Sequence, residues 1–286
     1  MMTRMRTQTA PAHPAHPITA ERAQHFRTHG WVAVPDFWHA AEITALQAEV
    51  TDLKQRNLLR NVATDGDGKT TSKTVANLQI CPAAKQSRIL RALPYYGKVQ
   101  GPISALVGDP ALLWLDQIFL KPAHHGAGTN WHQDDAYFKA ARPTNGVGMW
   151  TAIHAATVAN GTLRLAPRPG RLLDHARDPG SDHHISCKVD EATAFPIELP
   201  AGGAVFFAFD MPHCTKANTT DHDRAGLAYH FSHRDALSPE KIQEIRATPG
   251  LWYLDQLTGP GATDGRERWG ESMTGVFAAE VERLAR

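Results

Sequence analysis

The chain has 286 residues, 42% hydrophobic and 21% charged, values ordinary for a globular protein able to build a core. Its formal net charge of +1 gives no bulk electrostatic case for nucleic acid or an anionic membrane. Cys81, Cys187 and Cys214 form no zinc or disulfide spacing, and their sparse, odd number suits a reduced cytoplasmic setting. No apolar run approaches the roughly 20 residues of a membrane helix.

Residues 1–17 are rich in Thr, Ala, His and Pro and read as a flexible arm, because prolines block both helix and strand pairing. Arg4 and Arg6 are followed by no apolar segment of a secretory leader, so none is expected. Residues 18–286 show no internal repeat and no clear linker, and they read as one domain. Thr19 is a candidate N-cap for a short helix carrying Arg22 and Phe26, which Gly30 ends. A strand over 31–34 stops at Pro35. From His39 to Arg56, Ile43, Leu46, Val50 and Leu53 recur at helical spacing, with Glu42, Glu49 and Lys54 expected off that stripe. Residues 57–75 are polar and glycine-containing, a loop of the length often used as a lid. Residues 87–106 read as mostly helical, with breaks at Pro94 and Pro102.

From residue 111 the pattern becomes β. Short apolar runs at 111–122, 146–155, 162–166, 203–209 and 225–232 are separated by Gly, Pro or Asn. Residues 239–247 and 271–286 read as helices again. Short strands after N-terminal helices predict a mainly β protein with helical additions around a double-stranded β-helix, a jelly roll of cupin type.

Within this frame, His132 and Asp134 in Asn130–Asp135 stand two residues apart, on one face if the segment is extended. The chain holds 16 histidines, so the pair alone is equally a surface His–Asp hydrogen bond. The preceding Gly126–Ala127–Gly128 turn could let a ligand approach the backbone. His213 follows an apolar strand and a Met–Pro turn, and it can complete a set of two histidines and one carboxylate, the ligand set of non-haem Fe(II) oxygenases. Eleven residues on, Arg224 opens another apolar strand. A buried arginine needs a carboxylate partner, from a bound acid or from local Asp221 or Asp223.

These residues, in this order, resemble the phytanoyl-CoA dioxygenase family of Fe(II)/2-oxoglutarate oxygenases over residues 19–232. The stretch 25–50 is similar to its opening helix–strand–helix. Trp131–Asp135 matches its metal motif, and 148–167 resembles the segment that follows. Residues 200–231 match its distal histidine, Asn218 and co-substrate arginine. The resemblance implies that His132, Asp134 and His213 bind Fe(II). It also implies that Arg224 holds the distal carboxylate of 2-oxoglutarate beside Thr215, and that Gln117 and Trp150 contact the co-substrate. Lys73 or Asn77 would supply a further polar contact. The implied activity is O2-dependent hydroxylation or related oxidation of a small molecule, with succinate and CO2 released. Halogenating relatives lack the metal carboxylate, so Asp134 argues for hydroxylation. Pro167 is followed by Arg168–Pro169–Gly170 where relatives usually carry serine and histidine. No peroxisomal SKL-type end is present. Residues 57–75, 168–186 and 232–270 are the expected substrate walls, and the polar 168–186 suits a polar substrate of natural-product type. A fatty acyl-CoA hydroxylase, a zinc enzyme and a silent small-molecule-binding jelly roll remain alternatives.

Overall fold

The computed structural model describes residues 16–247 and 253–286. Most of the proposed N-terminal arm, residues 1–15, therefore lies outside the described residues. Helix α1 (Ala20–His29) starts at Thr19, whose hydroxyl accepts the Arg22 N–H at 3.2 Å. It ends at Gly30, whose φ of 82° is left-handed backbone that favours glycine. Strand β1 (Trp31–Val34) and helix α2 (Ala40–Gln55) follow, with Leu46 and Leu53 fully buried on the α2 stripe. Truncating either leucine costs about 2–5 kcal/mol. Glu42 departs from expectation. It is buried, accepts the His39 N–H at 2.8 Å in a capping box, and faces Lys98 and the Tyr96 hydroxyl. The helical spacing located the stripe but not this satisfied charge.

The 57–75 segment contributes one short strand, β2 (Arg60–Asn61), paired to β3 (Leu78–Ile80). Helices α3 (Arg88–Ala92) and α4 (Gly97–Val107) lead into β4 (Ala111–Lys121). Then come β5 (Thr129–His132), α5 (Asp135–Phe138), β6 (Gly146–Ala152), β7 (Leu163–Leu165), β8 (His175–Arg177), β9 (Ile185–Cys187) and β10 (Phe195–Pro196). The chain closes with β11 (Ala204–Ala208), β12 (His213–Thr215), β13 (Arg224–His233), α6 (Pro239–Ala247), β14 (Asp255–Gln256), α7 (Arg266–Trp269) and α8 (Val276–Leu284).

The large sheet runs β1-β11-β6-β13-β4-β3-β2, with β14 on β4; the small one runs β10-β7-β12-β5. These strands pair antiparallel throughout, as expected of a jelly roll. On β4 the alternation is functional. Leu115, Gln117, Phe119 and Lys121 face a cavity between the sheets, while Ile118 and Leu120 join the core on the other side. The helices cover that outer face, and α8 seats Phe277 against Trp38 and Tyr96 at ring distances of 5.6 and 5.0 Å.

Candidate active site

His132 ends β5 and His213 begins β12, and the register places these two residues directly opposite each other. Their rings lie 4.1 Å apart. Asp134 reaches them by a different route from the one the sequence suggests. The strand stops at His132, and Asp134 takes helical backbone, φ −58° and ψ −33°, at the start of α5. A turn, rather than strand alternation, brings the carboxylate to the imidazoles. Its Oδ1 lies 3.9 Å from Nε2 of His132 and 3.6 Å from Nε2 of His213.

The outward nitrogens fix the tautomers. Nδ1 of His132 lies 2.9 Å from the Asn130 carbonyl, and Nδ1 of His213 lies 3.0 Å from the Met211 carbonyl. A carbonyl only accepts, so Nδ1 carries a proton in each ring and Nε2 is the nitrogen turned toward a metal. Burial, reinforced by the His213 ring, pushes His132 down to about 3, so that imidazole is neutral. Burial works against the charge of Asp134, but His213, His230 and His132 outweigh it and hold the carboxyl below the usual range. Two imidazole nitrogens and one carboxylate, their ligand atoms within 4.8 Å of one another, fit a divalent metal.

The other end of the cavity is cationic. Arg224 is buried; its Nη2 donates to the Gly161 carbonyl at 2.7 Å, and its guanidinium sits 5.7 Å from the Trp150 ring. Gly226 makes room for that ring, since an added Cβ would stand 2.5 Å from Trp150 Nε1. Burial alone pulls Arg224 down to about 9. Among the described residues no acid pairs with it. Asp223 is taken by Lys54, and Asp221 lies 3.5 Å from His222, so the local salt bridge considered from the sequence is not formed. Lys121, opposite Arg224 in the β4–β13 register, is equally buried. Burial first, and Arg224 second, hold its ammonium well below the ordinary lysine range, and it donates to the Ala127 carbonyl. A buried arginine beside a buried lysine, with no acid to meet them, suits a small dianion, whose arrival would favour the charged form of the lysine. Both line one cavity of about 280 Å³ with the His132–Asp134–His213 group.

Gln117, Trp150 and Thr215 also line this cavity, as does Asn77, whereas Lys73 is exposed and does not. The Thr215 hydroxyl meets that of Thr129 at 2.7 Å. The Gly126–Ala127–Gly128 turn is used for strand packing instead of ligand approach. An added Cβ would meet Lys121 Cβ at 2.6 Å from Gly126, and the Thr215 carbonyl at 2.7 Å from Gly128.

The roof comes from the β8–β9 hairpin. His183 and His184 line the cavity; His184 Nε2 lies 3.1 Å from Gln79 Nε2, and the Ile185 N–H donates to the Tyr137 hydroxyl at 3.0 Å. The 57–75 loop does not itself line the cavity. It backs the hairpin, with Thr64 N donating to Gly180 O at 3.0 Å and Arg60 paired with Asp182. Of residues 168–186 only the two histidines reach the cavity among the described residues, because Arg168 turns to Asp210 at 2.8 Å and His175 accepts the Gln133 N–H at 3.1 Å. The described part of 232–270 supplies no wall either.

Sequence reasoning missed Lys121 and His230. Both had a signal. Lys121 closes an apolar strand as Arg224 opens one, and His230 falls on the Arg224 face at a multiple of two.

The phytanoyl-CoA dioxygenase (PhyH) family profile matches residues 26–226. Among curated proteins, the ectoine dioxygenase of Halomonas elongata is 24% identical over 259 residues, covering 82% of this chain and 75% of that one. The L-proline trans-4-hydroxylase of Streptomyces griseoviridis is 27% identical over 69% of this chain and 80% of its own. Among solved structures, the non-heme alpha ketoglutarate dependent carbocyclase SnoK from nogalamycin biosynthesis superposes with a TM-score of 0.64. It is 18% identical, over 84% of this chain and 95% of that one, and shares the fold.

Proposed function

The chain belongs to the phytanoyl-CoA dioxygenase family, and from that premise we propose that it is a non-haem Fe(II)- and 2-oxoglutarate-dependent oxygenase that oxidises a C–H bond of a small, polar, natural-product-type molecule. The observation that carries this reading is the pairing of three metal-type ligand atoms with a buried arginine and a buried lysine that meet no acid among the described residues, all in one cavity.

His132, Asp134 and His213 would hold Fe(II), which with 2-oxoglutarate and O2 supplies oxidation of a C–H bond, with succinate and CO2 released. Arg224 would grip the distal carboxylate of 2-oxoglutarate with its planar guanidinium, and Thr215, which lines the same cavity, would offer a hydroxyl. Lys121 adds a second cation to the same end, and Trp150 backs the Arg224 guanidinium with its ring face. Gln117 lies on the same β4 face as Lys121 and offers an amide to the co-substrate. The mainly apolar lining lowers the local dielectric, which strengthens each charge–charge contact.

Asp134 keeps the carboxylate in the ligand set, so hydroxylation or a related oxidation is favoured over halogenation; a chlorinated product with Asp134 intact would contradict this. The cavity volume of about 280 Å³ sits near the lower limit for ligand pockets, roughly 300 Å³. Shared with 2-oxoglutarate, it suits the reacting part of a small molecule. The relatives that act on ectoine and proline support that size and polarity. A fatty acyl-CoA hydroxylase would need a cationic nucleotide surface, and Arg60 at the roof is already paired with Asp182. A silent binding protein leaves the ordered Nε2 lone pairs of His132 and His213 without purpose. The test is anaerobically loaded protein given O2 and 2-oxoglutarate. Succinate is expected only with Fe(II); equal release with Zn(II), or none with Fe(II) across a panel of small polar acceptors, contradicts the reading.

A further inference from the structure

The iron reading on which this inference rests leaves one carboxylate oxygen to account for. Oδ1 of Asp134 faces both imidazoles, but Oδ2 is buried and receives no well-aligned hydrogen bond from any described residue. Such an oxygen is costly unless something meets it. Nε2 of His230 stands 3.3 Å away. His230 lies on the cavity face of β13, its side chain 3% exposed. Phe138 and Phe209 surround the ring at centroid distances of 5.2 and 6.2 Å. That apolar nest would suit phenylalanine, and a histidine there loses its hydration. The Asp134 carboxylate is what explains its presence.

The tautomer follows from the contact. A carboxylate oxygen repels a bare ring lone pair, so Nε2 carries a proton. Nδ1 is buried without a hydrogen-bond partner among the described residues, so nothing on that side competes for the proton. Glycine at 148 leaves the carboxylate its space, since an added Cβ would lie 3.4 Å from Oδ2 and 3.0 Å from the Phe207 ring.

We propose that His230 is a positioning residue for the metal site. Its Nε2–H holds Oδ2 of Asp134, so that Asp134 presents Oδ1 alone and does not spend a second coordination position on the same carboxylate. A small rotation of the carboxylate brings the 3.3 Å contact into line. In this water-poor surrounding a charge-assisted hydrogen bond is strong enough to fix the carboxylate's orientation. The positions opposite the triad then stay free for 2-oxoglutarate and O2.

The experiment compares wild type, His230→Gln and His230→Phe. Each is titrated anaerobically with Mn(II) alone by calorimetry, and with Fe(II) plus 2-oxoglutarate by charge-transfer absorption; melting temperature is followed in parallel. For His230→Phe we expect Mn(II) affinity to fall about 10- to 100-fold, with the melting temperature held or raised. His230→Gln keeps an N–H donor and should recover most of that loss. Should His230→Phe not fold, His230→Leu carries the same comparison. Unchanged Mn(II) affinity in the Phe or Leu variant overturns the proposal, as does equal loss in the Gln and Phe variants. Wild-type protein that binds neither metal overturns the triad reading instead, and the proposal with it.

Discussion

The two ends of the cavity solve opposite electrostatic problems. The metal end carries a carboxylate flanked by two imidazoles, each with Nδ1 held by a backbone carbonyl. The far end carries two basic side chains, Arg224 and Lys121, which burial drives away from their charged forms and which meet no acid among the described residues. The first is satisfied by adding a cation and the second by adding an anion. Taken alone, each is an expensive arrangement in a protein interior. Side by side, they describe the two ends of one metal-plus-dianion assembly.

The largest test of this contrast is at the metal end. His132→Ala should lose metal binding and succinate formation together, both to background, with the fold retained by circular dichroism; metal content by elemental analysis checks it. The far end should respond differently. Arg224→Met leaves the metal site intact and weakens 2-oxoglutarate binding by about 2 kcal/mol or more, roughly thirtyfold, since a buried ion pair loses one partner. The same change removes an unpaired buried charge, so the ligand-free protein should melt higher, not lower. Lys121→Met should follow the same pattern with a smaller loss of 2-oxoglutarate affinity. If both variants melt lower while binding 2-oxoglutarate normally, the far end is structural.

A last effect, on stability and outside the cavity, comes from the back of the same strand. Asp116 is buried behind Gln117, accepting the Ala83 and Ala84 N–H groups at 2.8 and 2.7 Å and the Tyr253 hydroxyl at 2.5 Å. Burial, only partly offset by these bonds, raises its carboxyl from 3.8 to about 6. The folded state therefore holds its proton more tightly than the unfolded chain, and Asp116 costs stability as pH rises from about 4 to about 6. Over that window the loss is at most about 3 kcal/mol. In Asp116→Asn, denaturant melts should show this part of the slope flattened. An unchanged slope would mean that this buried acid does not titrate as described.

The two ends also differed in how much of them could be read from sequence. His132 and Asp134 are neighbours in the chain, and His213 sits at a turn after an apolar strand, so the ligand types were visible. Their geometry was not, because the turn at Asp134 breaks the strand alternation that was assumed. At the far end Arg224 was visible as a charge opening an apolar strand. Its partner Lys121 was not, because their adjacency is a property of β4–β13 register across about a hundred residues. The jelly-roll core was legible from the spacing of short apolar runs. The hairpin that carries His183 and His184 was not, since its strands are three residues each and the turn between them takes its place from contacts with 57–75. Position in sequence likewise did not show that Glu42 is buried, because capping and Lys98 satisfy it only in three dimensions.

The most direct test of the two-ended account is a crystal structure of the protein grown without O2 in the presence of Mn(II) and 2-oxoglutarate. The account predicts an anomalous peak within ligand distance of His132, Asp134 and His213, and the distal carboxylate of 2-oxoglutarate on Arg224 and Lys121. A metal bound elsewhere, or a co-substrate whose distal carboxylate faces the His183–His184 roof while Arg224 and Lys121 stay without an acid, would contradict it.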